Sequence, residues 1–393
     1  MQDAFIVSAV RTPIGKFGGA LAPMTAVDLG VIAVREALAR AKVDPARVDE
    51  ILIGQARQAG NGPNPARQVG YRSGIPESVP GTTINKACGS GLKSIMLGAG
   101  EIALGRADVV VAGGIESMSR VPYLVDGARW GMRLGHGELT DGMYRDGFHC
   151  MLADMVMGET AEKLAAIHRI TRDEQDAFAL ESQHRAARAA GSGRFTEELA
   201  PVDVPSGKGR TERFDVDEHV RGDVTLEKLA KLPPVFSKTG TVTAGNSSGI
   251  TDGAAATVLV SGDFLKREGL RPLARIVDFA VAGVDPTVMG IGPVPAARKL
   301  IERTGMKLDD FGLVEMNEAF AAQVIACLRE LPIDPERLNV NGGAIALGHP
   351  IGCTGTRILT TLLHEMHKRD VARGLATLCI SGGMGIAMAV EKA

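Results

Sequence analysis

The sequence predicts an α/β protein built from two duplicated βαβαβαββ halves with a separate insertion, and three observations carry that prediction. Two stretches of about 110 residues repeat the same order of elements. Within each, apolar strand-like runs alternate with segments whose apolar residues recur at helical spacing. The second stretch closes on a direct hairpin, whereas the first is interrupted at that point by a long insertion.

The first half opens with a strand Ala4 to Val10 and a helix Asp28 to Arg40, followed by a strand Ile51 to Gly54. A helical segment near Asn64 to Ser73, a strand Gly81 to Asn85, a helix from about Gly91 to Leu104 and a strand Ala107 to Gly114 follow. Its closing strand is Ala254 to Ser261, so residues 118–250 form a loop domain that includes one strong helix from Thr160 through Ala190. The second half repeats the order with Ala274 to Ala280, Pro295 to Thr304, Leu308 to Met316 and Ala319 to Leu331. Then come a strand-like Arg337 to Asn341, a helix Gly355 to Lys368, and a hairpin of Leu375 to Ile380 with Ile386 to Glu391. The expected units are 1–117 plus 251–270, the loop domain 118–250, and 271–393.

Composition narrows the function. With 44 Lys and Arg against 46 Asp and Glu, the net charge of −2 argues against nucleic acid as a partner. No apolar run reaches the length of a membrane span and the start carries no basic region ahead of an apolar stretch, which argues against export and membrane insertion. The 5 cysteines lack any Cys-x-x-Cys pair, fitting neither a disulfide scaffold nor a zinc ribbon, and suit a reducing cytoplasm. Glycine is abundant, at 49 residues, which directs attention to Gly-rich functional loops.

Two such loops stand at matching places in the two halves. Asn85-Lys-Ala-Cys88-Gly-Ser-Gly91 sets a cysteine on a turn that opens a helix, where free N–H groups and the helix dipole favour a thiolate; a buried structural cysteine is the competing reading. His349, in Gly348-His-Pro-Ile-Gly-Cys-Thr-Gly355, occupies the equivalent turn of the other half, so a base beside the thiol follows if the halves meet. A turn histidine bonded to local backbone is its alternative. Cys379 ends a strand ahead of another glycine turn, and Asn317 reads either as a site residue or as a helix N-cap.

Taken together, these segments resemble the thiolase family over the whole chain. The matching blocks are Val10 to Gly15, Asn85 to Gly91, Gly113 to Ser119, Thr243 to Gly249, Asn317 to Phe320, Asn341 to Pro350 and Cys379 to Gly385. The resemblance implies a five-layer α/β/α/β/α body with the loop domain over the active site, and a homodimer or homotetramer. It implies that Cys88 carries the acyl group as a thioester, that His349 activates the thiol, and that Cys379 moves the α-proton of the second acyl-CoA or protonates the leaving one. An enolate oxygen would be held by His349 and a water on Asn317, and the tetrahedral oxyanion by the N–H groups of Cys88 and Ser381. Ser248, Phe236, Met157, Met289, Ala319 and Phe320 match positions along the pantetheine and acyl pocket, and Arg221 one near the CoA nucleotide. The implied partners are acyl-CoA and CoA, with no metal or redox cofactor.

The chain departs from the family at two points. Ser381 stands where many thiolases place the first of three glycines, and a left-handed backbone there would strain it. Val156-Met157-Gly158 replaces the His-Met-Gly of short-chain biosynthetic members, so the acyl length is open between an acetoacetyl-CoA thiolase and a longer-chain degradative one. Met132, Met143, Met151, Met155 and Met157 would either line an adaptable acyl pocket or fill core.

Other readings fare worse. Gly245-Asn-Ser-Ser-Gly249 fits a serine nucleophile elbow, yet a strand rather than a helix follows it. Gly89-Ser-Gly-Leu-Lys-Ser94 lacks the ending of a phosphate loop. His364 and His367 lack metalloprotease spacing and read as a solvated face. A non-catalytic acyl-CoA or lipid binder is the alternative from a different class, opposed by the presence of Cys88, His349 and Cys379 together.

Overall fold

The structure, a computed structural model, describes residues 2–207 and 209–393. The first half comprises β1 (Ala4–Arg11), α1 (Ala26–Ala41), β2 (Glu50–Gly54), α2 (Pro65–Arg72), β3 (Gly81–Ile84), α3 (Ser90–Ala103) and β4 (Val109–Ser117). After α4 (Met157–Ile167) and α5 (Arg172–Gly191), β5 (Thr251–Ser261) completes it. The second half runs β6 (Ala274–Gly283), α6 (Pro293–Thr304), β7 (Leu313–Met316), α7 (Ala321–Glu330), α8 (Ile351–Arg369), β8 (Arg373–Ile380) and β9 (Met384–Lys392).

These strands join in one ten-stranded sheet, ordered β7-β8-β9-β6-β1-β5-β4-β2-β3, with a short Gly15–Lys16 strand paired to β5. Within the sheet the halves pair where Phe5 and Ile6 of β1 run antiparallel to Arg275 and Ala274 of β6. Alternating side chains explain the layers. Val109, Val111 and Ile115 of β4 pack with α1 and α2 on one face, while Val110 and Ala112 pack with α3 and α8 on the other. In β9, Ile386, Met388 and Val390 meet the same α3 and α8, and Ala387 and Ala389 face α6 and α7. Both parts of the sheet thus clamp one central helical layer, giving α/β/α/β/α. Helix α8 is apolar or small nearly all round and buried from Ile351 to Leu363, as a central helix must be. Its Gly355 lets α3 come close: a Cβ there would lie 2.3 Å from the Leu92 amide nitrogen.

Two elements differ from expectation. The single helix from Thr160 through Ala190 is two, because Arg169 turns left-handed (φ 51°) and Thr171 caps α5 reciprocally with Glu174. At Arg337 to Asn341 only one bridge, Leu338 to Val314, replaces a strand. There Asn339 is left-handed (φ 43°), and its side-chain amide substitutes for a peptide: Met316 N–H donates to Oδ1 at 2.9 Å and Nδ2 donates to Met316 O at 2.8 Å. His364 and His367 are not a solvated face either. Their Nε2 atoms bond Ala9 O and Leu273 O, fastening α8 to β1 and to the approach of β6.

Candidate active site

The turns that open α3 and α8 bring Cys88 and His349 to the wall of one cavity of about 400 Å³, with Cys379 and Ser381 beside them. The Cys88 turn is held by its neighbours. Ala87 N–H donates to Asn85 Oδ1 (2.9 Å), Lys86 N–H to Ser90 Oγ (2.8 Å), and Ser90 Oγ–H to Ala87 O (2.6 Å). These bonds keep Ala87 at φ 44°, a conformation that costs a non-glycine residue about 1–3 kcal/mol and that marks strain stored beside the thiol. Burial pushes the Cys88 thiol up, while the Ser381 N–H, the Arg57 charge and its own N–H pull it back.

The Thr354 hydroxyl lies 2.6 Å from His349 Nδ1 and 3.0 Å from Pro350 O. With the hydroxyl proton given to Pro350 O, Thr354 accepts from Nδ1–H, and Nε2, buried without a protein partner, is then the free base. Burial, then the charges of Arg357 and Arg57, push this histidine down to about 3. Between its ordinary 6.5 and about 3 the unfolded chain binds a proton here that the folded chain refuses, so falling pH through that window costs stability. His349→Asn removes this penalty: stability to urea, followed by circular dichroism, is expected to fall less steeply with acidification than in the wild type.

Cys379 closes β8 and is 1 % exposed. Burial, reinforced by the proximity of Cys88 and Cys327, raises its thiol well above the ordinary range, so it is protonated at rest. Ser381 is not strained. The left-handed positions of its turn are Gly382 (φ 84°) and Gly383 (φ 81°), and the Ser381 N–H pulls the Cys88 thiol down.

Every residue matched to the acyl and CoA pocket, Ser248, Phe236, Arg221, Met157, Met289, Ala319 and Phe320, lines the same cavity. Phe236 and Phe320 stand edge to face, centroids 6.2 Å apart, and Gly158 makes room for Phe236, since a Cβ there would meet the ring at 2.2 Å. Asn317 is the exception. It is wholly buried, is absent from the cavity lining, and both its amide atoms lack a protein partner. It caps no helix, since α7 begins at Ala321 behind Phe320. Of these five methionines Met157 lines the cavity and Met143 packs in a small core cluster, whereas Met132 and Met151 are exposed and half-buried Met155, in a short strand, is not among the cavity residues.

The sequence reading missed Arg57, His219, Tyr144, Phe148 and Ile351, which also line the cavity. Arg57 follows β2, so the rule that chemistry gathers at strand carboxyl ends would have flagged it. Tyr144 and Phe148 arrive from the insertion, where no periodic pattern marks them.

A thiol beside the left-handed Ala87, an imidazole, a second thiol and Ser381 on one cavity wall form a candidate acyl-transfer site. The thiolase N-terminal domain family matches residues 4–263 and the thiolase C-terminal domain family residues 270–392, and the chain belongs to the thiolase family. It is 52% identical over 392 residues to an acetyl-CoA acetyltransferase of Pseudomonas aeruginosa, covering 100% of both chains. To one from Escherichia coli it is 53% identical over 393 residues, again covering 100% of both. Among solved structures, the acetyl-CoA acetyltransferase of Bacillus anthracis superposes with a TM-score of 0.98 at 47% identity, covering 100% of this chain and 99% of that one. Human mitochondrial 3-ketoacyl-CoA thiolase in complex with CoA gives 0.96 at 45% identity, covering 100% and 98%.

Proposed function

We propose that the protein joins two acetyl-CoA into acetoacetyl-CoA and CoA, reversibly, through an acetyl thioester on Cys88. The observation that carries this reading is the convergence of Cys88, His349, Cys379 and the Ser381 N–H on one cavity. His349 Nε2 takes the Cys88 proton as the sulfur attacks the first thioester carbonyl. The N–H groups of Cys88 and Ser381 hold the oxyanion. The departing CoA sulfur takes the Cys379 proton, leaving a thiolate that removes a proton from the methyl carbon of the second acetyl-CoA. His349, now protonated, donates to the enolate oxygen, and Asn317, whose buried amide bonds no protein group, is assigned to the same oxygen through a water. The enolate carbon attacks acetyl-Cys88, the Cys88 sulfur leaves and recovers its proton from His349, and every group returns to its starting state. The cycle balances without a metal or redox cofactor, with CoA and acyl-CoA as partners. Arg221, at the cavity wall and exposed, is assigned to the CoA nucleotide.

The cycle needs the proton on His349 Nδ1, where the Thr354 oxygen can accept it. Thr354→Val removes the acceptor for Nδ1–H and is expected to lower kcat by about 10- to 100-fold with KM little changed, read by steady-state thiolysis of acetoacetyl-CoA.

The apolar wall of Phe236, Phe320 and Met157 favours a second reading, a longer-chain 3-ketoacyl-CoA thiolase. Comparing kcat/KM for CoA-dependent thiolysis across 3-ketoacyl-CoA substrates of increasing length separates the two: activity confined to the shortest supports the acetyl reading, and rising activity the other. No thiolysis at any length contradicts both.

We also propose a homodimer or homotetramer, supported by the unpaired outer edge of β3 and by exposed Trp130, Leu134 and Leu139 in the insertion. Residence in the cytoplasm is proposed from the free cysteines. Among the described residues no helix is long and apolar enough to cross a membrane.

A further inference from the structure

We infer that Glu116 is a positioning residue for this reaction: its buried carboxylate couples the turn that carries Cys88 to the turn that carries His349. The inference rests on the thiolase reading and adds to it a residue to which the cycle above gives no part.

Glu116 lies near the end of β4 and is fully buried, which a carboxylate tolerates only when its oxygens are bonded. Its hydrogen-bond partners are backbone donors from two places. Oε2 accepts from Ala56 N–H (3.1 Å) and Gly352 N–H (2.9 Å), and Oε1 accepts from Arg57 N–H (3.1 Å). Ala56 and Arg57 belong to the loop after β2 in the first half, whereas Gly352 is in the first turn of α8 in the second half. One carboxylate therefore ties the halves together at the site itself.

The tie continues on both sides. Asn85 Nδ2 donates to Ala56 O (3.2 Å), and the same amide, through Oδ1, holds the Ala87 N–H that precedes Cys88. On the other side, Gly352 is three residues beyond His349, on the helical turn whose Thr354 fixes the imidazole. Cys88 turn, Asn85, Ala56 peptide, Glu116, Gly352 peptide and His349 turn form one unbroken chain. Gly352 has no alternative here: a Cβ would lie 2.5 Å from Ile115 O and 2.8 Å from Gln55 Cα, so only glycine lets the helix start reach the carboxylate.

The chain also carries charge. Arg57, at the cavity wall, lowers both the Cys88 thiol and the His349 imidazole, and Glu116 opposes it at Cys88. Glutamine at 116 keeps the shape but turns an NH₂ toward a backbone donor and deletes the negative charge. Glu116→Gln is thus expected to loosen the alignment of thiol and base while making the thiol easier to ionise, two effects of opposite sign on reactivity.

The test compares wild type, Glu116→Gln, Asn85→Ala and the double variant. Wild-type thiolysis of acetoacetyl-CoA is the control for the reading itself, and alkylation of Cys88 by iodoacetamide against pH, mapped by mass spectrometry, needs no turnover. Glu116→Gln is expected to lose about 100-fold in kcat with KM within about threefold. Its alkylation midpoint moves to lower pH, and adding Asn85→Ala costs little more, because both act on one chain. Unchanged kcat overturns the inference. So do losses that multiply in the double variant, or an unmoved alkylation midpoint accompanied only by a lower melting temperature. Where Glu116→Gln fails to fold, Asn85→Ala, at an exposed residue, carries the same requirement: a fall in kcat at constant KM, whose absence overturns the inference.

Discussion

Alanine at position 88 is expected to lower kcat/KM for thiolysis of acetoacetyl-CoA by at least about 10⁴-fold while the protein remains folded. The expectation follows from the local geometry. The sulfur sits ahead of α3, its thiol pulled down by the Ser381 and Cys88 N–H groups, on the same cavity wall as the His349 imidazole. The cavity offers one other thiol, Cys379, and that one is 1 % exposed and too high in pKa to be a thiolate at rest. Folding is spared because Cys88 is half-buried against the cavity and only its sulfur is lost, whereas the bonds that shape the turn come from Asn85 and Ser90. Circular dichroism of the variant checks the second half of the expectation.

The second large effect separates the two thiols. Cys379→Ser is expected to allow acetylation of Cys88 at a rate within about tenfold of wild type, yet slow condensation by about 10³-fold. A hydroxyl fits the site but is a far weaker acid than a thiol, so it neither protonates the departing CoA efficiently nor leaves a competent base for the methyl proton. Rapid mixing with acetyl-CoA, quenched and read by mass spectrometry, is expected to show acetyl-enzyme accumulating. A variant that condenses at the wild-type rate contradicts the role given to Cys379.

Much of this architecture was legible in the sequence because the periodic signals are strong. The apolar runs at Val109 to Ala112 and Ile386 to Val390 lie in strands buried on both faces, and the glycine turns at Cys88 and His349 mark helix starts. What was not legible depended on side chains acting as backbone. Asn339 bonds Met316 in place of a strand partner, and Arg169 breaks a helix by going left-handed, neither of which alters the apolar pattern. The site shows the same division. Cys88, His349, Cys379 and Ser381 stand on glycine turns and are visible in sequence, whereas Arg57 and Glu116 act through the space between the halves, and only folding brings Gly352 onto Glu116. The concern over Ser381 dissolves for a local reason: the two residues after it, both glycine, take the left-handed positions.

The central claim is that Cys88 carries the acyl group, and trapping it is the most direct test. Wild-type protein is mixed with acetyl-CoA, quenched in acid, and its peptides are mapped by mass spectrometry. The account predicts one acetyl group on the peptide containing Cys88, removed when CoA is added before the quench. Acetyl on another residue, or no acetylation together with normal turnover, would contradict it.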